Sequence, residues 1–311
     1  MKKDYFSLFK RYSAFLLFAL LFLLFGGRSA NAQGPVIDGD PGDWTTVASL
    51  PTFIHELDPY SGVDDQFTTG AADENFAVKS WAWGQVKNKN NIANGAAVLV
   101  GTKLYFAGDR ITTNGDAQIG FWFFHEGTAP VPDGSFYPLP VLGDVLILAN
   151  FTNGGNLAAV EVYQIESYNY DNKGNISSWN FSMISNADAA AAQNNNAAVP
   201  VPAGWGYPTA TYEPNAFYEG YIDLASINGE IPSLCFGSFM LETRSSQSLD
   251  ASLDDFVGGA FSTIPEITVN GDNECADPTG AAVEMQLCAF SDELNLDYQW
   301  YSAYVDENNN A

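Results

Sequence analysis

Groups of aspartate and asparagine residues carry the clearest chemical signal in this sequence. The groups are Asp58, Asp64, Asp65 and Asp73, then Asp109, Asn114 and Asp116, and near the N-terminus Asp38, Asp40 and Asp43. Hard cations such as calcium bind six to eight oxygen atoms, which carboxylates and loop carbonyls supply. Asp and Asn also favour turns, because their side chains accept hydrogen bonds from nearby backbone. The sequence therefore predicts calcium as the candidate cofactor, at the first or second group, with turn formation as the alternative.

Two tryptophans are spaced to share one face of a strand. Trp81 and Trp83 are two residues apart, and alternate residues of a β-strand point to the same side of a sheet. If exposed, the two rings could stack on a sugar; if buried, they would fill the core, because aromatic side chains bury large areas. The sequence therefore allows two interpretations of this pair: a ligand-binding surface or part of the core.

The sequence contains no recognised catalytic motif. Its two histidines, His55 and His125, lie in neither a HExxH nor a Gly-x-Ser-x-Gly pattern, and no phosphate-binding loop or CxxC occurs. Two carboxylates at a suitable separation would suffice for glycoside hydrolysis, so a glycan-active hydrolase stays as an alternative. We predict no catalytic residue and favour a protein that binds rather than reacts.

The N-terminus has the organisation of an export signal. A basic start precedes an apolar run over residues 14–25, and Ala30-Asn31-Ala32 supplies the small residues that signal peptidase requires. We predict cleavage between Ala32 and Gln33, because the apolar run is shorter than the ~20 residues of a membrane-spanning helix. The mature chain would then have no transmembrane segment and be secreted or held at a bacterial cell surface.

The charge balance restricts the class of partner. The chain has 12 Lys and Arg against 37 Asp and Glu, a formal net charge of −25 at pH 7. Nucleic acids and anionic lipids need clustered basic residues, so neither is an expected partner. A surface glycan or another protein remains as the possible partner. No feature of the sequence predicts an oligomeric state.

The chain contains three cysteines, an odd number, so at least one of them has no disulfide partner within this chain. Cys275 and Cys288 are the local candidates for a disulfide, which an exported protein can keep. Cys235 lies in an apolar run, where a free thiol behaves as a small buried hydrophobe.

Short apolar and aromatic runs alternate with glycine, asparagine and aspartate along most of the chain. They predict strands at 96–100, 104–107, 117–124, 144–151, 158–165, 179–184, 216–224 and 235–243. Residues 187–198 could be helical, or a flexible insert because of their asparagine run. The pattern predicts an all-β protein, an antiparallel β-sandwich of jelly-roll or immunoglobulin-like type.

The domain organisation follows from these patterns. We predict a signal peptide at 1–32, one β-sandwich module at 33–264 and an incomplete immunoglobulin-like domain at 265–311. The last assignment rests on Cys288 followed by Trp300, which is typical of the front half of such a sandwich. A half-domain cannot bury a core alone, so we expect this chain to be the N-terminal part of a longer protein.

Several blocks resemble known families. Ile37-Asp38-Gly39 with Asp43-Trp44 resembles the opening of family-9-like carbohydrate-binding and DOMON-like β-sandwiches. Residues 115–124, 143–146, 150–155 and 241–248 resemble an uncharacterised N-terminal module of large bacterial surface proteins, which precedes immunoglobulin-like repeats. The resemblance implies a non-catalytic, adhesin-like extracellular module. A carbohydrate-binding module attached to a larger enzyme or adhesin is the alternative.

Overall fold

The computed structural model describes residues 33–113, 117–152, 156–184, 190–224, 236–246 and 248–261. The predicted signal peptide with Ala32, the C-terminal segment with Cys275 and Cys288, and Cys235 lie outside these residues. No helix within the described ranges combines the length and apolar content needed to cross a bilayer.

Antiparallel strands dominate the described structure, and the one α-helix within it, α1 (Trp44–Val47), is short. The strands in chain order are β1 (Ile54–Leu57), β2 (Asp64–Phe67), β3 (Trp81–Gly84), β4 (Asn94–Val100), β5 (Lys103–Asp109), β6 (Ala117–Phe124), β7 (Ala129–Pro130), β8 (Phe136–Tyr137), β9 (Val145–Thr152), β10 (Asn156–Tyr170), β11 (Ile176–Ile184), β12 (Ala190–Asn194), β13 (Val199–Pro200), β14 (Thr211–Tyr212), β15 (Phe217–Asp223), β16 (Ser238–Arg244) and β17 (Leu253–Ala260). Short 3-10 turns occur at Pro41–Asp43 and Phe76–Val78.

Two large sheets make up the sandwich. One has the order β1-β4-β5-β15-β12, and the other has the order β11-β10-β9-β6-β16-β17-β2-β3. Two further two-stranded sheets, β13-β14 and β7-β8, lie in the connections. The predicted all-β antiparallel sandwich is therefore confirmed.

The core has three layers rather than one. One cluster joins the facing sides of the two sheets, for example Phe106 and Phe121, whose ring centroids are 4.3 Å apart. A second cluster around Trp122 covers the other face of the larger sheet, and a third around Trp44 covers the other face of the smaller sheet. Central strands are thus covered on both faces, which explains why residues 119–124 of β6 are apolar throughout instead of alternating.

The asparagine-rich segment forms part of the smaller sheet rather than a helix or a flexible insert. Its alanines make β12, which pairs with β15 in the register Ala190↔Ile222. Asn195 then donates to the carbonyl oxygen of Glu213 at 2.7 Å and accepts from the backbone N–H of Phe217 at 2.8 Å. These hydrogen bonds join the segment to residues more than fifteen positions away, and such partners cannot be predicted from the local sequence pattern.

Candidate metal site

Three strands bring carboxylates from both sheets to one place. Asp58 directly follows β1, and its backbone N–H donates to the carbonyl of Ala93 at 3.0 Å, which continues the β1–β4 pairing. Asp64 begins β2, and Asp255 lies in β17 opposite Gln66. Because alternate residues share a face, Asp64 and Gln66 point to the same side as Asp255. One carboxylate oxygen from each of the three aspartates lies within 4.8 Å of the others.

The three side chains are buried and only partly used. Asp255 is 0% exposed, Asp64 1% and Asp58 8%. One oxygen of Asp255 accepts from the backbone N–H of Ile92 at 2.8 Å, and Asp64 Oδ1 accepts from the N–H of Asp65 at 3.0 Å. No donor in the described chain reaches Asp255 Oδ1 or Asp58 Oδ2. The cluster therefore contains acceptor atoms to which no described donor is bound.

An asparagine joins the cluster from the segment before β4. Asn91 is 4% exposed, and its Nδ2 lies 3.4 Å from Asp64 Oδ2, which is long for a hydrogen bond. Its Oδ1 has no donor in the described part of the chain. Rotation of the terminal amide exchanges the two atoms at little steric cost, since they are nearly the same size. Asn91 can therefore present a neutral oxygen to the same cluster.

Charge repulsion at this cluster is strong. Burial, together with the neighbouring charge of Asp255, raises the pKa of Asp58 to about 10. Burial and the charge of Asp65 raise the pKa of Asp64 to about 7, and burial raises the pKa of Asp255 well above its usual range. Like charges this close need a neutralising partner, either bound protons or a cation.

The structure separates the four aspartates of the first predicted group. Asp65 is half-buried beside the cluster and opposite Trp83 in the β2–β3 register. Asp73 is fully buried elsewhere: it forms an ion pair with Arg244 and accepts from Trp122 Nε1 at 3.3 Å. Of the predicted group, Asp58 and Asp64 therefore lie together. Asp255 and Asn91 complete their cluster, and Asp73 is not part of it.

Asp255 and Asn91 were missed from the sequence. The signal that could have found Asp255 is its position directly before the apolar run that begins at Phe256, where a buried acid needs a partner.

The second predicted group is divided by the limits of the described residues. Asp109 is fully buried and accepts from the backbone N–H groups of Ala93 and Asn94, at 2.9 and 3.0 Å, and from the Tyr212 hydroxyl at 2.7 Å. Burial raises its pKa to about 6 despite these donors. Asn114 and Asp116 lie outside the described residues, so a metal site here stays a prediction.

The N-terminal group of aspartates shapes a turn. Asp38 Oδ1 accepts from the N–H of Asp40, and Asp40 Oδ1 accepts from that of Gly42, both at 2.9 Å. The turn is held to β15 by Glu219, which accepts from Gly39 N at 2.7 Å and from Trp44 Nε1 at 2.8 Å. The Ile37-Asp38-Gly39 and Asp43-Trp44 motifs therefore have a structural explanation in this chain.

The two tryptophans of β3 share a face but differ in exposure. Trp81 is half-buried, and its Nε1 donates to the Ser135 carbonyl at 3.0 Å. Trp83 is 64% exposed, and its ring centroid lies 5.4 Å from that of Trp81 in an edge-to-face arrangement. One ring anchors the edge strand while the other faces solvent.

Both histidines are engaged in packing. His55 stacks on Trp205 with a centroid distance of 4.5 Å, and its Nε2 lies 3.0 Å from Asn94 Oδ1. His125 Nδ1 lies 2.9 Å from Asp144 Oδ1, and its ring packs against Phe236. In both cases the ring has a clear role in holding neighbouring segments together.

Comparisons with protein-family models, with curated protein sequences and with solved structures found no match to this chain. Fold and site alone therefore define its class: an antiparallel β-sandwich of two large sheets. The described residues add two features to that fold: an acidic cluster shared between the two sheets and an exposed tryptophan on an edge strand.

Proposed function

We propose that this protein is a non-catalytic extracellular module of an adhesin-like surface protein, which binds a partner rather than transforming it. The export-type N-terminus and the resemblance to bacterial surface modules support an extracellular role. The acidic balance suits a solvated surface outside the cell.

The observation that carries the proposal is the use of buried acids as structural acceptors. Asp144 accepts from the backbone N–H groups of His125 and Val141, both at 2.8 Å. Asp109 and Glu219 likewise accept several buried donors. A general acid or base must offer an oxygen to the substrate, whereas these oxygens hold loops and strands in place.

A paired assay of binding and turnover tests the proposal. The purified full chain would be incubated with soluble and insoluble polysaccharides, glycosides and extracellular matrix proteins, and both retention and product release would be measured. We expect retention on at least one of these materials with no reducing ends or fragments released. Product release that disappears on substitution of a carboxylate would contradict the proposal.

Carbohydrate binding is a second candidate, favoured by the exposed ring of Trp83. Indole faces pack against the apolar faces of sugars, and an adjacent carboxylate such as that of Asp65 can accept hydrogen bonds from hydroxyl groups. The hydrogen bond from Trp81 to Ser135 fixes the Trp81 ring, and the Trp83 ring packs against it.

The matched test compares Trp83→Ala with Tyr170→Ala. Tyr170 is 61% exposed at the end of β10, so it controls for loss of an exposed ring on the same sheet. We expect Trp83→Ala to weaken glycan binding by about ten-fold, equivalent to about 1.4 kcal/mol. Tyr170→Ala should leave it unchanged. A glycan array that stays blank, or equal binding by both variants, would reject this candidate.

A further inference from the structure

We propose that Asp58, Asp64, Asp255 and the side-chain amide of Asn91 form a calcium site that joins the two sheets of the sandwich. This site goes beyond the proposed function, because a binding module and an enzyme could carry it equally well. Its test is therefore independent of whether any glycan or protein partner is found.

The dimensions of the cluster fit a calcium ion. Calcium binds oxygen at about 2.3–2.6 Å, so opposite ligands lie about 4.6–5.2 Å apart. The three carboxylate oxygens are within 4.8 Å of one another, and this upper limit falls inside the range of separations that one ion allows. Water and the second oxygens of these carboxylates can complete the coordination, as in other calcium sites.

The unpartnered atoms point to a ligand independently of the acidic charge. Asp255 Oδ1, Asp58 Oδ2 and Asn91 Oδ1 are buried acceptors with no donor in the described chain. Asp255 and Asn91 are 0% and 4% exposed, so bulk water does not satisfy them. A buried acceptor without a partner is costly and uncommon, and Asp255 Oδ1 and Asp58 Oδ2 belong to the same cluster. Metal coordination would use both of them, and rotation of the Asn91 amide would add its oxygen on the side that faces Asp64.

The donor set selects the type of cation. The four side chains offer oxygen atoms, with no nitrogen or sulfur ligand among them, which suits a hard cation. Magnesium requires near-ideal octahedral geometry and keeps several waters, whereas calcium accepts irregular sets of protein oxygens. Three carboxylates also overcompensate a charge of +2, which favours tight retention of the ion.

The position of the site defines what the ion does. Asp58 extends from β1, the edge strand of the smaller sheet, while Asp64 and Asp255 belong to neighbouring strands of the larger sheet. A bound ion replaces repulsion across this junction by attraction. It therefore closes one side of the sandwich.

The first experiment uses the full chain and calcium itself. Isothermal titration of the metal-free protein with calcium should give a dissociation constant in the millimolar range or below. The thermal midpoint should rise with calcium and fall with a chelator, because an ion that binds only the folded state stabilises it. Magnesium at the same concentration should raise the midpoint less.

Substitutions assign the binding to this cluster. Asp255→Asn and Asp64→Asn should weaken calcium binding by about ten-fold or more, and Asn91→Ala should weaken it without changing the charge. In chelator, the two Asp→Asn variants should melt at or above the midpoint of the unmodified protein, because they remove repulsion. Asp40→Asn and Asp171→Asn, at the N-terminal turn and at an exposed turn, are the matched controls and should bind calcium normally.

Two results would overturn the proposal. If calcium neither binds nor shifts the midpoint of the unmodified protein, the carboxylates are neutralised by protons. If Asp255→Asn and Asn91→Ala bind calcium as well as the unmodified protein does, the ion lies elsewhere, for example near Asp40 or Asp109. If an aspartate variant does not fold, Asn91→Ala still tests the proposed ligand set, because it leaves the three carboxylates intact and should weaken calcium binding.

Discussion

Glu219 illustrates how single residues hold this molecule together. One oxygen accepts from the N–H groups of Asp38 and Gly39, at 3.0 and 2.7 Å, and the other accepts from Trp44 Nε1. Gly39 has φ +86°, and a Cβ there would lie 2.5 Å from the Asn194 carbonyl, so the turn needs glycine. The carboxylate and the glycine together hold the N-terminal turn against the smaller sheet.

Replacement of Glu219 should be strongly destabilising. Glu219→Ala leaves several donors without their acceptor, which should lower the free energy of unfolding by about 2–4 kcal/mol. Glu219→Gln keeps one acceptor oxygen and should cost less. Glu166→Ala, at an exposed position of β10, is the control and should stay within about 0.5 kcal/mol. Chemical denaturation measures all three, and an alanine variant as stable as the control would contradict this role of Glu219.

At the element scale, β6 is the strand that joins two of the core layers. It lies between β9 and β16, with Phe121 and Phe123 in the layer between the sheets. Trp122 and Phe124 lie on its other face, stacked at a centroid distance of 5.3 Å. This division follows from strand geometry, because alternate residues of a strand face opposite sides.

Both faces of β6 should therefore contribute to stability. Phe121→Ala and Trp122→Ala each create a cavity in a different layer, and each should cost about 3–5 kcal/mol. Met183→Ala, on β11 at the edge of the same sheet and 53% exposed, should cost far less. The measurement is the free energy of unfolding. If only Phe121→Ala were destabilising, the outer layer around Trp122 would not be a true core.

At the scale of the whole molecule, buried acids dominate the electrostatics. Burial raises the pKa of Glu219 to about 7 and that of Asp73 to about 6, although hydrogen bonds and Arg244 oppose the shift. Asp64 and Asp109 shift in the same direction. Exposed residues such as Asp133 have a lowered pKa, but solvent screens their contribution. The folded chain therefore holds more protons than the unfolded chain near neutral pH.

Stability should consequently fall as pH rises. A carboxyl group whose pKa is higher in the folded chain than in the unfolded chain stabilises the fold. This contribution is fully present below about pH 4, the pKa of the group in the unfolded chain, and it is lost as pH rises through the folded-state pKa values near 6–7. In chelator, we expect a higher thermal midpoint at pH 5 than at pH 8. Calcium should reduce this dependence, since the ion replaces protons at Asp58 and Asp64. Asp64→Asn should have a shallower pH dependence than Asp171→Asn, and equal slopes would contradict the assignment.

The sequence alone determined the elements and the class of the fold. The strands predicted at 117–124, 144–151 and 216–224 correspond closely to β6, β9 and β15, because apolar runs and turn residues act locally. The same local pattern also identified Asp58 and Asp64 as candidate ligands and Trp83 as a residue for binding or packing. Composition and spacing suffice for such features, since each depends on a few neighbouring residues.

Only the tertiary structure decided which residues meet. Asp255 reaches Asp64 because β17 pairs with β2, whereas Asp73 forms an ion pair with Arg244 of β16. Asn91 and Asn195 likewise gain their roles from strands far away in the chain. Pairing between distant strands depends on the packing of the whole sandwich, so the acidic cluster exists only once both sheets have formed.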